Sequence, residues 1–359
     1  MENHIAKTTH VSKNGFQYID CSTPGQKVGS YIFIGDLGKG SFSTVYDVVD
    51  SEGVRHAAKV FRDEERFVVC AKRERSILQG LTDCSHIISC TDTFLLNSSV
   101  VLVLDKAITD LYSYQQDFHR DGYSVDCPTT MYPVADLAIA LLRGLSALVA
   151  HDIIHCDIKP ENILLKKCEG GIRAAIADLG SACSGIRTTR DGLIASPWYR
   201  PPEVYGKGIM SHPGDLWSVG CVLFEYAFGE ALFDVTLNRH TVAEEVACLF
   251  AGHIVILGEP PQEYIDRDSP ITRHLGYPPA PAPSDSGSLT EKIDILVLRM
   301  RDIMKYTDLH VILSSIFVWD AILRVSIVDA LATVQTWGIS SSVPDPAVTA
   351  PLRIKLIST

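Results

Sequence analysis

At 359 residues, 46% of them apolar and 21% charged, the chain can bury a large core in one big or two medium domains, which excludes a protein disordered along its whole length. A formal net charge of −11 argues against direct nucleic-acid binding, which draws on positive charge to displace counterions, and favours basic peptide partners. Ten scattered cysteines without a Cys-x-x-Cys pair support neither a zinc site nor a disulfide framework; with no apolar signal at the start and no run long enough to span a bilayer, the expectation is a soluble protein of cytoplasm or nucleus with no membrane partner.

Residues 1–30 are polar and unpatterned and are expected to form a flexible extension. Two β-rich runs, 31–37 and 44–49, are joined by Gly38-Lys39-Gly40-Ser41-Phe42-Ser43. Glycines at such a tip let backbone amides approach an anion, because no Cβ stands in the way and positive φ is tolerated. A single Gly-x-Gly is as often a plain turn. A third strand, 54–61, carries Ala57-Ala58-Lys59, and helical spacing over 63–80 makes Phe67, Val68, Ala71, Ile77 and Leu78 apolar while offering Glu64, Glu65 and Glu74. Taken alone, Lys59 reads as a surface lysine and Glu74 as one of several helix acids. Strand-like runs at 86–95 and 100–104 end at Asp105-Lys106-Ala107, and helices are expected over 112–121 and 134–151 with an exposed loop between. The second helix is apolar enough (Leu137, Ile139, Leu141, Leu142, Leu145, Leu148) to be a buried spine.

Short apolar runs at 163–165 and 174–176 flank Lys-Lys-Cys-Glu-Gly-Gly, which predicts a β-hairpin turning at 166–171. A hairpin folds its outer ends together, so Asp157 and Asn162 on one arm and Asp178 on the other are expected at one edge. Two carboxylates, an amide oxygen and Lys159 gathered there can hold a divalent cation, steer a hydroxyl and neutralise phosphate.

His155-x-Asp157-x-Lys159-x-x-Asn162 resembles the catalytic loop of eukaryotic protein kinases, and Asp178-Leu179-Gly180 resembles their magnesium-binding Asp-Phe-Gly, with Leu for Phe. The resemblance implies an α+β, bilobal protein kinase fold over 31–338, with a small β-rich N-lobe (31–105) holding one main helix and a larger, mostly helical C-lobe (108–338), followed by a tail, 339–359. It implies ATP and Mg2+ as cofactors. In the family pattern the glycine tip (Leu37, Gly38, Lys39, Gly40, Ser41) covers the phosphates, with Ser43 in place of a third glycine. Lys59 contacts the α and β phosphates and is held by Glu74, because Glu74-Arg-Ser-Ile-Leu matches the family's glutamate and its apolar followers. Leu104 stands as gatekeeper, the backbone of Asp105 to Ala107 bonds adenine, and Asp110 reaches ribose. Val45 and Ala57 above and Leu164 below sandwich the base, and Glu161 joins the nucleotide-binding set. Asn162 and Asp178 hold the metal ions, Asp157 accepts the substrate proton, and Lys159 with Lys59 balances charge on the transferring group.

Further along, 181–193 resembles an activation segment and Pro201-Pro202-Glu203 its Ala-Pro-Glu end, whose glutamate pairs with a distant arginine, here Arg324. Asp215-Leu-Trp-Ser-Val-Gly resembles the helix whose aspartate holds the catalytic-loop backbone. Trp198-Tyr199-Arg200, Ala231-Leu-Phe-Asp234 and Ile256-Leu-Gly-Glu-Pro-Pro261 resemble the CMGC group, which contains cyclin-dependent, mitogen-activated, glycogen synthase and CDC-like kinases, and 258–324 leaves room for that group's insert, flexible where Pro, Ala and Ser crowd 278–287. Within the group, His-Cys-Asp resembles the dual-specificity tyrosine-regulated kinases and 176–183 the serine/arginine-rich protein kinases; the sequence leaves both open.

Lys159 and Ser196 imply transfer to serine or threonine, with tyrosine reached only through autophosphorylation. Cys156 replaces the arginine that grips an activation-segment phosphate, and Leu193, after Asp191 and Gly192, stands where the group has its activating tyrosine, so activity without that phosphorylation is expected. Pro197 replaces an arginine common in the segment, and no preference for proline is drawn from it. Protein substrates are expected, basic or Ser/Arg-rich if Glu259, Glu263, Asp266 and Asp268 form a substrate surface; a solvated acidic face is the plainer account. A monomer is expected. The rivals are a pseudokinase scaffold, which predicts loss of Lys59, Asp157 or Asp178, all present, and a small-molecule kinase, against which 198–203 and the insert argue.

Overall fold

Alternating side chains that bury one face per strand build an antiparallel sheet of six strands early in the chain. A computed structural model describes residues 9–11, 17–19, 24–96, 98–121, 132–189, 194–234, 241–265, 269–275 and 307–337. The chain forms two units, Met1–Ile108 with Asp178–Gly180, and Thr109–Ala177 with Ser181–Thr359.

In the first unit, β1 (Thr9–Val11) and β2 (Gln17–Ile19) pair antiparallel inside the stretch expected to be a flexible extension. The six-stranded sheet comprises β3 (Lys27–Val28), β4 (Tyr31–Lys39), β5 (Ser43–Val49), β6 (Arg55–Phe61), β7 (Cys90–Leu96) and β8 (Ser99–Asp105), in the order β3-β4-β5-β6-β8-β7. Register decides what each face does. Ala58 lies opposite Tyr46 and Val103, and with Tyr31, Phe33, Val48 and Val101 they make an apolar core on one side. Lys59 lies opposite Val45 and Leu102, and Ala57 opposite Asp47 and Leu104, so these share the other side. Helix α1 (Glu65–Gly80) lies between β6 and β7 in the chain and buries Phe67, Ala71, Glu74 and Leu78 along one stripe. A glutamate on that stripe is costly without a cation.

The second unit starts with β9 (Thr109–Asp110), α2 (Leu111–Asp121), α3 (Val134–Ala150) and β10 (Ile153–Ile154). The hairpin follows as β11 (Ile163–Cys168) and β12 (Gly171–Ile176), with β9 on its outer edge. Its arms run further than expected: Lys166 pairs with Arg173 and Cys168 with Gly171, so the turn shrinks to Glu169 and Gly170. Gly170 and Gly171 both take positive φ there, which lets a ladder that long close in so few residues. Two short pairs tie down the chain after the hairpin: β13 (Cys183–Ser184) on β10, and β14 (Arg187–Thr188) on β15 (Ile209–Met210). Helices α4 (Pro202–Lys207), α5 (His212–Phe228), α6 (Val242–Leu257), α7 (Pro270–Leu275), α8 (Thr307–Ile316) and α9 (Ile327–Gln335) complete the unit. From Gly214 to Tyr226, α5 is buried on every side, as a run that is apolar all round apart from Asp215, Ser218 and Glu225 dictates. Gly206 in α4 meets the Tyr264 ring so closely that a Cβ would lie 2.1 Å from it, so only glycine fits. Most of the loop expected at 121–133 and the Pro/Ala/Ser-rich stretch at 278–287 lie outside the described residues.

Candidate active site

In the first unit the site is built around one buried ammonium. Lys59 Nζ donates to both oxygens of Glu74, at 2.8 and 2.7 Å, and to Asp178 Oδ1 at 2.7 Å. Glu74 is 0% exposed, which answers how a carboxylate survives on the apolar stripe of α1. Burial alone would discharge the lysine, but Glu74 and Asp178 outweigh it and raise its pKa. Asp178 takes a left-handed φ of 61°, and Leu179 beside it is fully buried. A Cβ on Gly180 would crowd Asp178 Oδ1 at 3.2 Å and Glu74 Oε2 at 3.5 Å.

At the glycine tip, Gly40 N–H donates to Ser43 O at 2.8 Å, and Phe42 packs on Phe67 of α1, which anchors the tip. Gly38 and Gly40 do not need positive φ; what they supply is open space, with nothing within 4 Å of a Cβ at Gly38 and only Ser43 O, at 3.6 Å, at Gly40. Leu37 is exposed at the end of β4 beside Lys39 and Ser41, and Val45, Ala57 and Leu104 share the Lys59 side of the sheet. Asp105 N–H is held by Ser89 O at 3.1 Å, at the point where Lys106 and Ala107 leave the sheet.

In the second unit the catalytic loop hangs on Asp215. Its Oδ2 accepts the His155 amide at 2.6 Å and its Oδ1 the Cys156 amide at 3.0 Å, as the sequence leads one to expect. Burial pushes the Asp215 carboxyl up to about 7 even against those two bonds. Cys156 accepts a φ of 68° to aim its amide, and His155 Nε2 donates to Ala177 O at 2.9 Å, leaving Nδ1 to accept the Asp157 amide at 3.2 Å. Asp157 Oδ1 then receives the Ser196 hydroxyl at 2.6 Å, and Oδ2 lies 3.3 Å from both Lys159 Nζ and Asn162 Nδ2. Lys159 Nζ also donates to Ser196 Oγ at 3.2 Å, and Asn162 Nδ2 to the Asp157 carbonyl at 2.8 Å. Four side chains separated in sequence are thereby locked into one network.

The remaining expected residues have plain placements. Asp110 heads α2, its two oxygens accepting the amide and hydroxyl of Ser113 at 2.8 and 2.7 Å, while Leu164 pairs with it across β11 and β9. Glu161 is exposed in the short turn Pro160–Asn162. Glu203 and Arg324 form the expected pair, at 2.9 and 3.1 Å. Glu263 is taken up by Lys207 at 2.7 Å, and Asp266, Asp268, Asp191, Gly192 and Leu193 lie outside the described residues.

Two contributors escaped the sequence reading. Buried Arg200 donates through Nε to Ile194 O at 2.8 Å and through Nη2 to Ala195 O at 2.9 Å, pinning the backbone before Ser196. Tyr199 donates to Glu225 Oε2 at 2.6 Å, and burial, followed by the charges of Glu161 and Asp234, pushes Glu225 up to about 7. For Glu225 the available signal was a charged residue inside an apolar stretch, which must find partners once buried.

No group of three or more His, Cys, Asp or Glu side chains gathers into a metal site among the described residues. Taken separately, each unit offers a donor suited to a hard cation: in the second, Asn162 commits its nitrogen to Asp157 and so keeps its amide oxygen as a possible ligand, and in the first the Asp178 carboxylate is 40% exposed. No helix among the described residues is long and apolar enough to cross a membrane.

The protein kinase domain model matches residues 31–333, and the chain belongs to that family. Its fold is the mixed α+β fold of protein kinases, with an antiparallel sheet unit and a helical unit. Among relatives, it is similar to dual specificity tyrosine-phosphorylation-regulated kinase 3 of Mus musculus, 33% identical over 237 residues that make up 64% of this chain and 38% of that protein. The Homo sapiens protein of the same name is 32% identical over the same shares. Dual specificity tyrosine-phosphorylation-regulated kinase 2 of Drosophila melanogaster is 32% identical over 240 residues, 64% of this chain and 30% of that protein. The chain thus matches well under half the length of these relatives. They bear the name of one of the two CMGC kinase types that its motifs resemble.

Proposed function

We propose that the chain is a protein kinase that uses ATP and Mg2+ to phosphorylate serine or threonine in protein substrates, without needing phosphate on its own activation segment. The observation that carries this is Lys59, buried and still charged between Glu74 and Asp178. One carboxylate suffices to pair a buried lysine; a second, partly exposed one leaves an anion that a phosphate can replace.

Asp157 accepts the substrate hydroxyl proton, oriented by Ser196 and by the Asn162 amide. A carboxylate is a weak general base, which suffices where positioning and charge stabilisation supply most of the rate. Lys159, tied to the same carboxylate, offers its ammonium to the phosphoryl group in flight. Asn162 and Asp178 would hold Mg2+, which supplies charge neutralisation on the phosphates.

Independence from activation-segment phosphate is supported by how the segment is held. Cys156 is buried in an apolar cluster with Ile154, Ile194, Val204 and Met210, where a phosphate-gripping arginine would be out of place. β14 pairs with β15, Thr189 N–H donates to Gly208 O at 2.8 Å, and Arg200 pins Ile194 and Ala195. For substrates, exposed Glu161 with Glu225 and Asp234 favours a basic side chain, since a cation there would offset the repulsion that adds to burial in raising Glu225. The acidic face at Glu259 and Glu263 supports this less, because Lys207 already neutralises Glu263.

The test is purified protein with Mg-ATP and a degenerate serine/threonine peptide library, before and after phosphatase treatment, beside Lys59→Met and Asp157→Ala. Transfer to basic peptides that survives phosphatase and disappears in both variants, with nucleotide binding retained in Asp157→Ala, is expected. Nucleotide binding without transfer in the wild type would make the chain a pseudokinase scaffold.

A further inference from the structure

On the side of the first sheet that carries Val45, Ala57 and Leu104, one side chain is out of character. Asp47 lies directly opposite Ala57, which lies directly opposite Leu104, and opposed residues of antiparallel strands project from the same face. Asp47 is only 7% exposed, so its charge needs partners. It has two. Arg55 grips it bidentately, Nε donating to Oδ1 at 2.9 Å and Nη2 to Oδ2. Lys106 brings its ammonium within 3.4 Å of Oδ2. Burial pushes the Asp47 carboxyl up, but hydrogen bonding from Arg55 and the charge of Lys106 prevail and leave it below its ordinary value.

The two cations hold different things. Arg55 opens β6, pairs with Val49 in the ladder, and is half exposed; without it, backbone bonds still hold both strands. Lys106 is the first residue beyond β8, and it sits between Asp105 and Ala107, where the ladder no longer fixes the peptide planes. Just past the last ladder pair, His56 with Asp105, Lys106 bonds back to Asp47 in the sheet, on the side where the base is expected.

We propose that Asp47 and Lys106 are positioning residues for the nucleotide: their ion pair draws Lys106 and Ala107, just beyond β8, against the sheet and presets the peptide groups that receive the adenine edge. A segment ordered in advance loses less freedom on binding, so the effect belongs to affinity and not to the chemical step. This inference rests on ATP being the ligand, as proposed above.

The test is binding of a fluorescent N-methylanthraniloyl ATP, with steady-state kinetics, for the wild type, Lys106→Met, Asp47→Asn, the double variant and Arg55→Met. Lys106→Met and Asp47→Asn should each raise Kd and the KM for ATP about fivefold with kcat retained, as befits a partly exposed ion pair. The double variant should be no weaker than Asp47→Asn alone, and the Lys106→Met effect should shrink as salt is raised. Arg55→Met should lower Tm and leave Kd within about twofold of wild type, because it touches the carboxylate and not the segment. Lys106→Met binding like wild type, or Arg55→Met weakening binding as much as Lys106→Met does, would overturn the inference. A wild type that binds no nucleotide would instead bring down the kinase reading, and this inference with it.

Discussion

Two buried cation–glutamate pairs, one in each unit, start from similar parts and are finished differently. Arg324 spends all five of its N–H donors: two on Glu203, and the rest on the carbonyls of Ile316, Pro213 and Val318. Lys59 gives its three to carboxylate oxygens from two different acids, so its surroundings keep surplus negative charge, and one of those acids, Asp178, is partly open to solvent. The first arrangement has nothing left to exchange. The second can release a carboxylate and take up a phosphate. A planar guanidinium ringed by carbonyls makes a clamp, whereas a compact ammonium with an extra anion makes a receptor.

The sharpest way to break this contrast is Arg324→Ala, which strands Glu203 in the core and should cost about 3–5 kcal/mol in urea unfolding. Arg324→Lys should recover little, since a single ammonium cannot reach carbonyls on several sides. A loss below about 1 kcal/mol in Arg324→Ala would place the pair with ordinary surface bridges. Lys59→Met should lower kcat by about 10²–10³-fold or more, the scale of removing a preorganised charge. Its unfolding midpoint should move less than that of Arg324→Ala, because Glu74, already pushed up by burial, can take a proton.

A third position separates the clamp from its neighbourhood. His253 is packed among Tyr205, Trp217, Phe233 and Trp319, where burial, with Arg200 and Arg324 nearby, lowers its pKa from 6.5 to about 3. The unfolded chain binds the proton first, so stability should fall as pH drops from 6.5 toward 3. His253→Phe should flatten that acid-side slope in urea titrations at several pH values; an unchanged slope would show that the imidazole takes no part. The smallest effect is expected at Ser196→Ala, which removes the hydroxyl between Asp157 and Lys159: kcat about tenfold lower, KM for ATP unmoved, and rescue by threonine.

What the sequence made legible is what a motif can carry. Lys59, Glu74, Asp157, Asn162 and Asp178 stand at spacings tied to strand, helix and loop types, and their local partners follow from those elements. Asp215 was legible for a second reason, since an isolated charge in an apolar run has to be buried with a partner, while the Glu203–Arg324 pair was implied by the family resemblance. Asp47, Lys106 and Arg200 were not, because their roles depend on cross-strand register and on carbonyls from irregular backbone, neither of which leaves a periodic trace. The hairpin was read at the right place with its turn too long, since the charged Lys166 and Lys167 look like loop while pairing in the ladder. The strand pair β1–β2 was missed because three-residue strands are too short for alternation to register.

Asp152, Cys156, Asp178 and Ala195 all hold left-handed backbone without being glycine, and three of them belong to or adjoin the residues proposed to be catalytic. Each costs about 1–2 kcal/mol that only neighbouring contacts can offset. During refolding such kinks have no reason to form until those neighbours are assembled, so helix content should return ahead of catalytic competence. A half-built molecule would then be unable to spend nucleotide, and the lag between circular dichroism and regained turnover measures how late the last kink sets.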